Sequence, residues 1–140
     1  MPRKVFRLLV STFLMLLVAT GAMSPANAAP ELSKPQVKIV SVNQTYYEEF
    51  DRWGVDTTLK WTTVPGAEFY NLCIQIGKVP SPRGSCNTYP LTGTTTTYPV
   101  SVPPSERITY WILACAVREG MTICSEASNK VTVIAGKKSR

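Results

Sequence analysis

Histidine is absent from all 140 residues, and much familiar enzyme chemistry goes with it. Without an imidazole, the common nucleophile–base triads and imidazole general bases cannot be assembled. The chain also lacks a glycine-rich phosphate loop and the D-x-D-x-D-G spacing of a calcium loop. No two cysteines stand as C-x2-C, so the usual structural-zinc arrangements are missing. Nor is there a basic stripe with interleaved aromatics, the footprint of a nucleic-acid binder. These absences lead us to expect no catalysis, no cofactor, no bound metal and no nucleic-acid partner.

Only one long apolar run is present, and it lies at the N-terminus. Arg3, Lys4 and Arg7 precede Leu8 to Ala19, which is apolar apart from Ser11 and Thr12, and Ala26-Asn27-Ala28 follows. A basic n-region, a short apolar core and small residues before the cut define a signal peptide, expected here over residues 1–28. The run falls short of the roughly 20 residues of a membrane span. The alternative of a retained anchor is opposed by the cleavage-site residues. The mature chain is therefore expected outside the cytoplasm, secreted or, if bacterial, in the periplasm or at the cell surface, with no membrane attachment. Full-length charge is +6, from 15 basic and 9 acidic residues. Three of the basic residues belong to the leader, so 12 remain against 9, and Lys137, Lys138 and Arg140 supply much of that excess.

After an extended lead-in at 29–35, one domain is expected over 36–135, with a basic tail at 136–140. Strands are expected at Gln36–Val42, Val55–Thr62, Glu68–Ile76, Ser85–Tyr89, Thr94–Val102, Arg107–Arg118 and within Ser128–Ala135. Val55, Thr57, Leu59 and Trp61 share one face of the second strand, the period-2 pattern of a half-buried antiparallel strand. Tyr70, Leu72, Ile74 and Ile76, and later Ile108, Tyr110, Ile112, Ala114 and Ala116, repeat it. Pro65-Gly66, Pro103-Pro104 and Glu119-Gly120 punctuate the strands. Asn43 to Gly54, NQTYYEEFDRWG, reads as the least regular stretch. No segment after the leader shows a helical period. Seven short strands between Pro/Gly turns make an all-β, two-sheet sandwich.

The order of these pieces resembles a known family. The run L-K-W-T-x-V-P-G-A-x-x-Y, Leu59 to Tyr70, is similar to the B-strand tryptophan, B–C turn and C-strand tyrosine of fibronectin type III domains. Tyr98 and Val100 resemble that family's strand E, and Tyr110-x-Ile112-x-Ala114-x-Ala116 its strand F, with Tyr110 at the tyrosine-corner position. Ser125-Glu126-Ala127-Ser128-Asn129 before Val131-Thr132-Val133 resembles the serine-rich entry to strand G. The resemblance spans roughly Pro35 to Ala135 and implies a seven-stranded immunoglobulin-like sandwich in which these residues are core. Three departures stand out: the long aromatic segment after the first strand, the four cysteines, and the lack of Arg-Gly-Asp, of which Arg83-Gly84-Ser85 is a partial echo outside the F–G loop. Integrin-type recognition is not implied.

Cys73, Cys86, Cys115 and Cys124 are spaced 13, 29 and 9 apart. An even count in a small exported domain favours two disulfides over metal ligation. With the strands assigned by the resemblance, a Glu119-Gly120 turn sets Cys115 opposite Cys124, and the hairpin near Val79-Pro80 brings Cys73 towards Cys86. Those two pairings are expected; the rival is Cys73–Cys115 across neighbouring strands.

Two surfaces are candidates for partner contact. Phe69, Trp111, Leu113 and Val117 point outward beside the cysteines, unless disulfides, loops or a terminus cover them. Tyr46, Tyr47, Phe50 and Trp53 could stack on a sugar or dock a protein, or else cap one end of the sandwich. Glu48, Glu49 and Asp51 read as a solvated acidic loop rather than an acid–base pair. Asn43-Gln44-Thr45 fits a glycosylation sequon in a eukaryotic setting. The expected function is a secreted, non-catalytic binding or adhesion module for an extracellular protein or glycan. The alternative is a secreted inhibitor or accessory subunit of an extracellular hydrolase, inserting Val79–Gly84 or Glu119–Met121.

Overall fold

A computed structural model of the chain describes residues 30–78, 85–86 and 90–138. The expected leader, the Val79–Gly84 loop, residues 87–89 of the expected fourth strand and the last two residues of the tail lie outside the described residues. The strands are β1 (Val37–Tyr47), β2 (Arg52–Trp61), β3 (Phe69–Ile76), β4 (Ser85–Cys86), β5 (Thr95–Val102), β6 (Arg107–Arg118), β7 (Met121–Cys124) and β8 (Val131–Ile134). One antiparallel sheet has the order β1-β2-β5, and the other runs β4-β3-β6 with β7 and β8 both beyond β6. β7 pairs with residues 115–118 of β6 and β8 with residues 107–110, so they are two halves of one edge position. Seven strand positions in two packed sheets make the immunoglobulin-like sandwich expected from the sequence.

Alternation decides which side chains fill the interior. Val55, Thr57, Leu59 and Trp61 of β2 are buried, as are Ile108, Tyr110, Ile112, Ala114 and Ala116 of β6. Each large aliphatic among them contributes about 1.5–3 kcal/mol by leaving water. β3 follows the same alternation through Tyr70 and Leu72, but Ile76 ends exposed where the strand outruns the core. The β2–β3 connection is held from within. Gly66 takes the positive φ of 81° that this turn requires, Ala67 N–H donates to Val64 O at 3.1 Å, and Val64 N–H donates to the Tyr70 hydroxyl at 2.9 Å. The Trp61 and Tyr70 rings tilt against each other at 5.7 Å. LKWTTVPGAEFY is scaffold.

Tyr110, fully buried, joins the two sheets. Its hydroxyl crosses the sandwich to Thr57 Oγ1 at 3.2 Å, because Thr57 places a hydroxyl in the same dry interior and needs a partner there. Burial, first of all, pushes the Tyr110 phenol pKa upward.

The stretch expected to be irregular is instead a long hairpin. β1 continues five residues past Val42, in unbroken register from Ser41↔Thr58 to Tyr47↔Arg52, after one shift between Ile39 and Ser41. A 3-10 turn at Glu48–Phe50 closes it, with Asp51 in the left-handed region at φ 48°. Tyr46, Tyr47 and Trp53 favour such pairing because aromatic side chains pack well across a pleated ladder.

Both expected disulfides are present, Cys73–Cys86 and Cys115–Cys124, and no cysteine is free. The rival pairing fails on register: Cys73 stands opposite Trp111, four residues along β6 from Cys115, a step of roughly 13 Å at strand rise. Glu119 and Gly120 have φ 51° and 77°, the two positive values of a type I′ turn, which sets Cys115 opposite Cys124. Disulfides of this kind persist in an oxidising compartment.

Between β7 and β8 the ladder is broken and serines repair it. Ser125 N–H donates to Ala114 O at 2.7 Å while its hydroxyl accepts from Ala114 N–H at 3.0 Å. Ser128 repeats the exchange with Ile112, at 2.9 Å in both directions.

Candidate functional site

The β1–β2 hairpin sets Tyr46, Tyr47, Phe50 and Trp53 on one protruding end, but its two faces treat them differently. Tyr46 and Trp53 are register partners on the core-facing side, with ring centroids 5.3 Å apart. They are half-buried, because the chain after β8 folds over them. Gln44 anchors that strap through its carboxamide, donating to Ile134 O at 3.2 Å and accepting from Gly136 N–H at 2.8 Å. Ser105 N–H donates to Gly136 O at 2.9 Å. Gly136 lies so close to the indole that a Cβ there would overlap Trp53. Trp53 Nε1 is buried with no hydrogen-bond partner. These two aromatics cap the end of the sandwich.

Polar contacts fix the tip in the same way. The Tyr46 hydroxyl donates to Asp51 Oδ1 at 2.5 Å, and Lys138 Nζ reaches the same oxygen at 3.3 Å. The hydrogen bond to Asp51, first of all, pushes the Tyr46 phenol up to about 12. The reciprocal bond from Tyr46, with Lys138 adding to it, holds the Asp51 carboxyl below its ordinary value. Arg52 Nε donates to Ser101 Oγ at 3.0 Å, tying the tip to β5.

Tyr47 and Phe50 remain outside this arrangement. Tyr47 is 49% exposed and lies over Gly54, where a Cβ would come within 2.7 Å of its ring. Phe50, in the turn itself, is 68% exposed between Glu49 and Asp51.

The second candidate surface is assembled as the alternation predicts. Cys73↔Trp111, Asn71↔Leu113 and Phe69↔Cys115 share the outer face of the second sheet. It is not an open patch: Phe69, Trp111 and Leu113 are each half-buried, and Lys130 Nζ lies 5.0 Å from the Trp111 ring centroid. Val117, 47% exposed, is the apolar residue there most open to water.

The sequence places Met121 only at the end of a contact loop and does not single out Ile123; both are exposed on β7. The sequence also gave no sign of the strap, whose glycine matters only once Trp53 is placed beside it. A cavity of about 330 Å³ lies between Gln36, Lys38, Lys60 and Thr62, with Val37 and Trp61 completing its lining and no carboxylate among them. Among the described residues no group of three potential metal ligands occurs, and no helix is long and apolar enough to cross a membrane. Neither a family model, nor a curated protein, nor a solved structure matches this chain.

Proposed function

We propose that this protein is a secreted, non-catalytic, fibronectin type III-like module that binds an extracellular protein through the tip of its β1–β2 hairpin. The observation that carries the reading is the contrast within one aromatic cluster. Tyr46 and Trp53 are spent on holding the hairpin, whereas Phe50 and Tyr47 stand in solvent on a support tied down by Gln44, Asp51 and Arg52. A large apolar side chain fixed in a protruding position loses little freedom on binding, which is what makes such residues effective anchors. Glu48 and Glu49 precede Phe50 in the turn, so the complementary surface is an apolar socket with a basic rim. Secretion is supported by the leader features of residues 1–28 and by the two disulfides.

Capture from the protein's own extracellular fluid tests this, with the wild type and Phe50→Ser run side by side. A retained polypeptide lost on Phe50→Ser is the expected result. Retention of glycans alone, unaffected at Phe50 and lost on Tyr47→Ser, would replace a protein partner with a carbohydrate. A polypeptide that Phe50→Ser still holds would move the contact elsewhere.

A further inference from the structure

Among the described residues, the open edges of both sheets are guarded except at one strand. On β1, the Asn129 carboxamide occupies Val37 N–H and C=O, the strap crosses near Gln44, and the register shifts once. β5 carries Pro99 in mid-strand, and proline cannot donate to an incoming strand. β4 is only two residues long, and very short edge strands make poor templates for pairing. β8 lies under the Gln44 side chain, which binds Ile134 O. β7 has no such device. All four of its residues, Met121 to Cys124, are exposed, none is lysine or proline, and its register is unbroken. Unprotected apolar edges invite pairing with another strand, and proteins ordinarily block them.

The free hydrogen-bonding groups on that edge can be assigned. Ala114 C=O accepts from Ser125, on the β7 side, while Cys115 C=O accepts from Glu68 N–H and Val117 N–H meets Glu68 Oε2, both on the β3 side. In an antiparallel ladder the partners of outward-turned residues are themselves turned outward. Thr122 and Cys124, opposite Val117 and Cys115, therefore present their N–H and C=O groups to solvent. Met121 and Ile123, 64% and 38% exposed, alternate with them on one face. The Cys115–Cys124 disulfide fixes the strand in place before anything binds.

We infer that β7 is a self-pairing edge, on which a second copy of this chain docks its own β7 antiparallel about a two-fold axis through Ile123. This surface is separate from the hairpin tip. In that register Thr122 of one copy faces Cys124 of the other, and each such pair exchanges both of its hydrogen bonds. Ile123 meets Ile123 of the second copy at the closely spaced, non-hydrogen-bonded position, about 4.5 Å between Cα atoms. Glu119 and Glu126 stand opposite Ala127 and Gly120, so no like charges oppose one another across the axis. The isologous contact closes on itself and stops at a dimer.

Sedimentation of the mature protein over a dilution series, with hydrogen exchange read at the Thr122 and Cys124 amides, tests the inference. Expected are a reversible monomer–dimer equilibrium and slower exchange at those two amides as concentration rises. Thr122→Pro removes an outward N–H without taking a bond from β6, and should leave a folded monomer of unchanged near-UV circular dichroism. Ile123→Cys should yield a covalent dimer whose linked peptide joins position 123 to position 123, with both native disulfides intact. A monomer at every concentration, or a dimer that Thr122→Pro leaves unchanged, overturns it.

Discussion

Asn129 and Val37 join the two sheets by imitating a strand pair. The Asn129 carboxamide oxygen accepts Val37 N–H at 2.8 Å, and its Nδ2 donates to Val37 O at 2.9 Å. The side chain thus presents the donor and acceptor of a peptide group to the edge of β1, where the neighbouring backbone lies in the other sheet. Asn129→Ala should remove both bonds and lower stability by roughly 1–3 kcal/mol. Asn129→Asp should do no better, because a carboxylate cannot donate to Val37 O. Urea unfolding of the three proteins, with equal slopes, checks this.

The two serines upstream serve β6, in the other sheet. Ser125→Ala and Ser128→Ala leave the Ala114 and Ile112 N–H groups without their hydroxyl acceptors in a buried position. Each should cost roughly 1–3 kcal/mol. Threonine at either position keeps the hydroxyl and should recover most of the loss in the same unfolding assay.

Inside the sandwich, Thr57→Val should strand the Tyr110 hydroxyl and destabilise by about 1–3 kcal/mol. Trp61→Ala should cost about 3–5 kcal/mol through the cavity it opens. Neither change should alter the hairpin tip. Thermal unfolding gives the first half of that statement, and capture at a temperature where both variants are folded gives the second.

The tip has a pH signature at each end of the scale. Asp51 has a depressed pKa, so its contribution is present above the ordinary carboxylate value and is lost as pH falls through the lower, folded value. Tyr46 is raised from 10.0 to about 12, so its contribution is complete below pH 10 and disappears as pH rises through about 12. Tyrosine ring carbon shifts should show Tyr46 ionising near pH 12. Asp51→Asn should return it towards its ordinary value. A Tyr46 that ionises near pH 10 in the wild type would mean the bond to Asp51 does not form.

Most of the scaffold was legible because it rests on period-2 burial and on turn residues with a single use. Trp61, Tyr70, Ile108 and Ile112 fall inside where their alternation puts them, and Glu119-Gly120 supplies the positive φ pair that aligns Cys115 with Cys124. What escaped notice depends on contacts between distant parts of the chain. The hairpin over Asn43–Gly54 is regular because the strap from 134 to 138 packs on it, some 90 residues away in sequence. The Tyr110 hydroxyl likewise finds its partner across the sandwich, in the buried Thr57 hydroxyl on the facing sheet. At the candidate site, the sequence grouped four aromatics but could not divide them. That division needed the position of Gly136, which has no local signature.

The most direct measurement of the central claim is the affinity of one captured partner for three forms of the protein. Phe50→Ala should weaken binding by about tenfold or more, while Leu113→Ala, on the outer face of the second sheet, should leave it near the wild-type value. The opposite ranking, with Phe50→Ala unchanged and Leu113→Ala impaired, would contradict a hairpin-tip contact.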